Sequence, residues 1–214
     1  MTAVDVTAID ILLEPDQTMV GIARATNTRL RAGFPAGFAL DGDHAPHITV
    51  LQRFVRTSEL SAVEAAVASV VARSNLAGLD LQANGIYILP WQQLGVPGIT
   101  IAPTPALLEL QEAVIAAVAP FTEPRGGAEA FVGAPDTPTI LPTAEYVAAF
   151  VPSSTGAHYN PHVTVGVAPL EDAEELVAAP FEGFAFGVEG AAIYQLGDLG
   201  TAQKRLWASA GVRT

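Results

Sequence analysis

Two short segments half a chain apart constrain this 214-residue sequence more than any other feature in it. Ala45-Pro46-His47-Ile48-Thr49-Val50 and Asn160-Pro161-His162-Val163-Thr164-Val165 share a Pro-His-β-branched-Thr-Val pattern. β-Branched residues favour extended backbone, and each proline biases the residue before it toward the same geometry. Side chains two apart on a strand point to one face. His47 and Thr49 are therefore expected on one face of a strand, with Ile48 and Val50 packed on the other. His162 and Thr164 repeat the arrangement on a second strand. A rigid element presenting an imidazole beside a hydroxyl, twice, suits a chain built from two similar halves.

Brought together about a pseudo-twofold axis, these strands would set two imidazoles on opposite sides of one bound group, with two hydroxyls beneath it. Hydrolysis of a phosphodiester needs a base to activate water, an acid to protonate the leaving oxygen, and donors for the non-bridging oxygens. Histidine, with a reference pKa of about 6.5, serves as either acid or base near neutral pH. A lone H-x-T in a strand is more often a hydrogen-bonded structural histidine. With only four histidines in the chain, two of them in matched hexapeptides are hard to attribute to packing.

At these residues the sequence resembles the two-histidine (2H) phosphoesterase superfamily, defined by two H-x-[TS]-h motifs (h hydrophobic) about half a chain apart. Within it, the resemblance is to the 2'-5' RNA ligase and 2',3'-cyclic phosphodiesterase branch. Both motifs are intact. The resemblance implies an α+β fold, bilobal and pseudo-twofold, with two antiparallel sheets flanked by helices around a central cleft, in a single domain over residues 1–214. It also implies hydrolysis of a 2',3'-cyclic phosphate, or of a related small cyclic or 2'-5' phosphodiester, without metal or cofactor. By analogy His47 would protonate the leaving ribose oxygen and His162 would deprotonate the attacking water, the roles exchanging in reverse. Thr49 and Thr164 would hold the non-bridging oxygens.

Composition narrows the substrate. Twenty-two acidic against ten basic residues give a net charge of −12, with Lys204 the one lysine. Affinity for a phosphate backbone comes from clustered Lys and Arg, so a long nucleic acid is not expected. The chain departs here from RNA-directed family members, which carry basic surface near the cleft. A nucleotide or short oligonucleotide is the expected partner, and the protein is expected to be a monomer. The absence of cysteine removes thiolate metal sites, cysteine nucleophiles and disulfides. The longest uncharged stretch, Leu81 to Leu108, is broken by Pro90, Pro97, Pro103 and Pro105, so no membrane span is expected. Met1 to Asp10 does not read as a signal peptide. A cytoplasmic location is expected, with an exported form whose signal was removed as the alternative.

Other residues enter as candidates around the motifs. Arg53 shares strand parity with His47 and Thr49 if the strand runs unbroken, which would bring a guanidinium to bound phosphate. Tyr159, Trp91 and Tyr194 are candidates for stacking on a base. His44 and His158 precede the motif histidines by three and four residues. Together the four could form a zinc site, but they are read here as loop residues at the cleft rim with no metal bound. Against the cyclic phosphodiesterase stand two alternatives: a non-catalytic binder of a phosphorylated small molecule, and a zinc-dependent hydrolase using His44, His47, His158 and His162.

Patterning supplies the elements. Strands are expected at Val4–Leu13, His47–Val55, Leu79–Leu89, Val96–Ala102, His162–Ala168, Phe184–Leu196 and Lys204–Ala208. Helices are expected at Asp16–Arg31, after an N-cap at Thr57, after Thr104-Pro105, at Ala144–Phe150 and at Leu170–Ala178. Pro120 to Pro142, rich in Pro, Gly, Ala and Thr, is expected to be a long irregular connection, a lid or a link.

Overall fold

A computed structural model describes residues 5–42, 44–133 and 140–209. Among these lie ten strands and five α-helices. One antiparallel sheet has the order β10-β9-β1-β2-β5 and a second the order β6-β4-β3-β8, with β7 added beside β4. The strands of the first are β1 Val6–Pro15, β2 Ile48–Arg56, β5 Thr122–Glu123, β9 Val188–Leu196 and β10 Ala202–Ala208. Those of the second are β3 Leu81–Trp91, β4 Leu94–Ile101, β6 His162–Thr164, β7 Ala168–Pro169 and β8 Phe184–Phe186. The α+β fold with two antiparallel sheets matches the expectation, and each sheet carries one motif.

The helices are α1 Gln17–Gly33, α2 Leu60–Arg73, α3 Pro105–Val118, α4 Ile140–Ser153 and α5 Leu170–Ala178. α2 and α3 turn Val63, Val67, Val70, Leu107, Leu110 and Val114 into a core shared with Ile9, Ile11 and Leu13 of β1 and with Ile99 and Val163 of the second sheet. α4 covers one end of the opposite face of the first sheet, where Val147 meets Val6, Ala8 and Phe54. Thr104 caps α3 as expected, its hydroxyl accepting from Leu107 N with Pro105 following. Thr57 does not cap α2: it opens a 3-10 turn, Thr57–Glu59, and its hydroxyl pairs with that of Thr7 at 2.9 Å.

Two expected strands are broken in the structure, each at a glycine. His162–Ala168 stops at Thr164, and Gly166 takes a φ of +149° before β7. That backbone region favours glycine. Phe184–Leu196 divides at Gly187, where β8 pairs with β3 in one sheet and β9 pairs with β1 in the other. Asp16 fastens the crossing. Its side chain caps α1 through Thr18 N and Met19 N and also accepts from Gly187 N at 2.7 Å. Of the expected irregular connection, residues 120–133 are docked: β5 pairs with β2, and Ala130 and Phe131 are buried. Residues 134–139 lie outside the described residues, and α4 already begins at Ile140.

Candidate active site

Both motif histidines are oriented in the same way. His47 Nδ1 lies 2.8 Å from the carbonyl of Ala45, and His162 Nδ1 lies 2.8 Å from that of Asn160. A carbonyl only accepts, so each Nδ1 carries the donated proton and each Nε2 is the working nitrogen. The proline of each motif lies between histidine and acceptor, which is why the geometry repeats with the sequence. Each imidazole is within electrostatic reach of the other: a charge on His47 contributes to lowering the His162 pKa.

The surroundings of the two rings differ. His47 Nε2 is 3.8 Å from Asp10 Oδ2. Asp10 also accepts from the Thr49 hydroxyl at 2.9 Å and from Gln52 Nε2 at 3.0 Å. Burial outweighs these contacts and pushes the Asp10 carboxyl up to about 6. His162 instead meets a phenol, with Tyr87 Oη 3.0 Å from Nε2 and the rings edge-on at 4.6 Å. Burial lowers the His162 pKa first, the Asn160 carbonyl opposes this, and His47 adds to it. The Tyr87 hydroxyl is raised by its own burial, so it stays protonated. Gly98 makes room for the pair: a Cβ there would lie 2.7 Å from Tyr87 Cε1 and 3.0 Å from His162 Cδ2.

A β-bulge decides which side chains join the site. Ile11 pairs with Leu51 and Leu12 with Thr49, leaving Val50 as the extra residue on β2. Parity shifts by one there. Gln52 therefore shares the Asp10 face with Thr49, while Arg53 stands opposite Ile9 on the helix-covered side. The expectation that Arg53 faces phosphate beside His47 and Thr49 fails for this reason. Its pKa is lowered by burial.

Tyr159 does not offer its ring for stacking. It is 7% exposed, and its hydroxyl donates to the Thr49 carbonyl at 2.8 Å. Gln111 of α3, also buried, donates to the Val50 carbonyl at 3.1 Å and accepts from Gly156 N. These two side chains tie the segment leading to the second motif onto the backbone of the first. Asn27 of α1 does related work, donating to the carbonyls of Phe38 and Val165 and accepting from Leu40 N.

Tyr194 is buried across from Asp10, with the Arg205 guanidinium 5.4 Å above its ring, and Trp91 is half-buried at the end of β3. Tyr146 of α4 is 45% exposed and within electrostatic reach of Asp10 and Tyr87. His44 stacks on Phe38, and His158 is exposed in a 3-10 turn. Thr164 is half-buried beside Gly98. Among the described residues no three His, Asp or Glu side chains gather in one place. No helix among them is long and apolar enough to cross a membrane.

Sequence patterning singled out neither Asp10, Gln52 nor Tyr87. Asp10 had a signal, as the one charge in the run Val6 to Leu13. Tyr87 had none, because its partner lies 75 residues away.

Residues 21–197 match the family model of the 2'-5' RNA ligase superfamily. No curated protein matches. Among solved structures, TT0787 of Thermus thermophilus superposes with a TM-score of 0.54 at 17% identity, over 94% of this chain and 96% of that one. E. coli LigT, complexed with phosphate, gives a TM-score of 0.49 at 15% identity over 98% and 99% of the two chains.

Proposed function

The chain belongs to the 2'-5' RNA ligase superfamily, and from that premise we propose that it is a phosphodiesterase opening a 2',3'-cyclic phosphate, or a related small phosphodiester, by two-histidine acid/base catalysis. The observation that carries this reading is the matched pair of imidazoles, each with Nδ1 held by its own motif carbonyl, so that proton transfer falls to Nε2, which faces Asp10 in His47 and meets the Tyr87 hydroxyl in His162. Their unlike surroundings support a division of roles. Burial favours a neutral His162, suited to accept a proton from water. The carboxyl beside His47 suits a ring that carries one to the leaving oxygen. Thr49 and Thr164 lie two residues along from each imidazole and would donate to the non-bridging oxygens. Joining a 2'-5' linkage would use the same groups with roles exchanged.

The test is turnover of a panel of nucleoside 2',3'-cyclic phosphates in excess EDTA, with His47→Ala and His162→Ala alongside. Each variant is expected to lose a factor of about 10²–10⁴ or more, the usual contribution of a positioned acid or base, with the fold retained. Near-normal turnover in either variant rejects the mechanism. Undiminished nucleotide binding by a wild type without turnover would point to the binding module instead.

A further inference from the structure

Thr49 has one hydroxyl proton, and it is donated to Asp10 Oδ2 at 2.9 Å. A hydroxyl engaged in this way turns only lone pairs toward the cleft, and lone pairs repel a phosphoryl oxygen. The same Oδ2 accepts from Gln52 Nε2 at 3.0 Å and faces His47 Nε2 at 3.8 Å. The other carboxyl oxygen, Asp10 Oδ1, and the amide oxygen of Gln52 are both buried without a hydrogen-bond partner. Buried acceptors normally find donors. The cluster holds more acceptors than donors, its carboxylate takes the one proton Thr49 could offer a ligand, and it lies directly behind the group that would meet the substrate.

We propose that Asp10 is a positioning residue that takes up a proton when an oxyanion enters the site, so that its carboxyl donates to Thr49 and Thr49 in turn donates to the anion. The inference deepens the phosphoryl-site reading above and rests on it. The proton comes from solvent, and no bond to carbon or phosphorus is made or broken. A neutral carboxylic acid has one donor where a carboxylate has none. Protonation on Oδ2 therefore reverses the Asp10–Thr49 hydrogen bond while a remaining lone pair still receives Gln52. It also removes a negative charge that would otherwise face the anion across a single hydroxyl. The anion then replaces Asp10 as the group opposite a protonated His47.

The groups around Asp10 permit this. Thr49 and Gln52 face it from β2, His47 from the segment before β2, and Tyr194 stands across from it on β9. Tyr146 of α4 and Tyr159 are within its electrostatic reach. Beyond Tyr194, Arg205 is paired with Glu14 at 2.7 Å. Of these, His47 is the group that pulls the carboxyl toward ionisation by charge, and burial overrides it, leaving the pKa at about 6. Proton uptake near neutral pH is within the range of such a group.

Sulfate is the probe, because it mimics the phosphoryl oxygens and does not titrate near neutral pH. Calorimetric titration of wild type and Asp10→Asn at about pH 7, in buffers of different ionisation enthalpy, counts the protons taken up on binding. Wild type is expected to take up about one proton more per sulfate than Asp10→Asn, once the protonation change of His47, which faces Asp10 at 3.8 Å, has been followed in each protein by NMR of its ring protons and subtracted. Equal uptake overturns the proposal. Infrared difference spectra of wild type supply a readout independent of how well the variant folds. Sulfate should bring up the carbonyl stretch of a protonated carboxylic acid, and sulfate binding without that band overturns the proposal too. Folded wild type that binds no sulfate would remove the phosphoryl site itself, and the role of Asp10 with it.

Discussion

At Asp10, burial outweighs every favourable contact the carboxyl makes. Its pKa rises from 3.8 to about 6 although His47, Gln52 and Thr49 all pull it down. The folded state therefore holds this proton more tightly than the unfolded chain. As pH rises from about 4 to about 6 the unfolded chain releases it first, so stability falls across that window and is flat above it. That rise from 3.8 to about 6 corresponds to about 3 kcal/mol. Asp10→Asn has no proton to release. Wild type should lose up to about 3 kcal/mol relative to this variant between pH 4 and pH 7, read from urea unfolding of both proteins. A difference that stays constant with pH would show that the carboxyl is not raised. The motif residues were legible one by one because their chemistry is written in six consecutive positions. Asp10 shows in the sequence only as a lone charge in an apolar run, because what makes it unusual is a cage of side chains some forty residues further along.

Strands and helices followed from patterning where local preference and tertiary pairing agree, and failed where pairing decides. Nothing within Phe184–Leu196 says that its two ends join different sheets. The chain passes from one sheet to the other at Gly187, and Asp16 from the other end of the chain fastens the crossing there. The Val50 bulge is equally silent in sequence, yet it exchanges Arg53 for Gln52 on the working face. The carbonyls at the bulge are received by Tyr159 and Gln111, so the irregularity is built in and the two motif segments are fastened at it. The second sheet depends on Gly98 in the same way. A methyl group there meets Tyr87 and His162 at 2.7 and 3.0 Å. Gly98→Ala should cost about 1–3 kcal/mol as overpacking and displace the His162 ring, lowering kcat well beyond what the lost stability explains. Melting temperature and turnover of the cyclic phosphate panel check both parts. A variant as active as wild type would mean that His162 does not need this placement.

Across the whole molecule, neither sheet is drawn from a continuous half of the chain. The first sheet takes β1, β2, β9 and β10 from the two ends of the described chain and β5 from between β4 and β6, while the second sheet is drawn from the middle, so the duplicated motifs fall on two sheets without marking a boundary in the sequence. Charge acts at this same scale. A net −12 opposes the approach of any phosphate, and the arginines near the working face do not relieve it: Arg53 points to the helix side and Arg205 is engaged by Tyr194 and Glu14. Proteins that track a nucleic-acid backbone lose affinity as salt rises, with a log–log slope of about −0.7 per contacted phosphate on single strands. Here the sign should reverse. Salt screens repulsion over a Debye length of about 10 Å at 0.1 M, so KM for a nucleoside 2',3'-cyclic phosphate should fall modestly as ionic strength increases. The benefit should grow with oligonucleotide length, because every added phosphate enters the same repulsive field. Steady-state kinetics on a mononucleotide and a longer oligonucleotide, each ending in a 2',3'-cyclic phosphate, measure this at several salt concentrations. A KM that instead climbs steeply with salt on the longer substrate would require a basic track and a long RNA substrate.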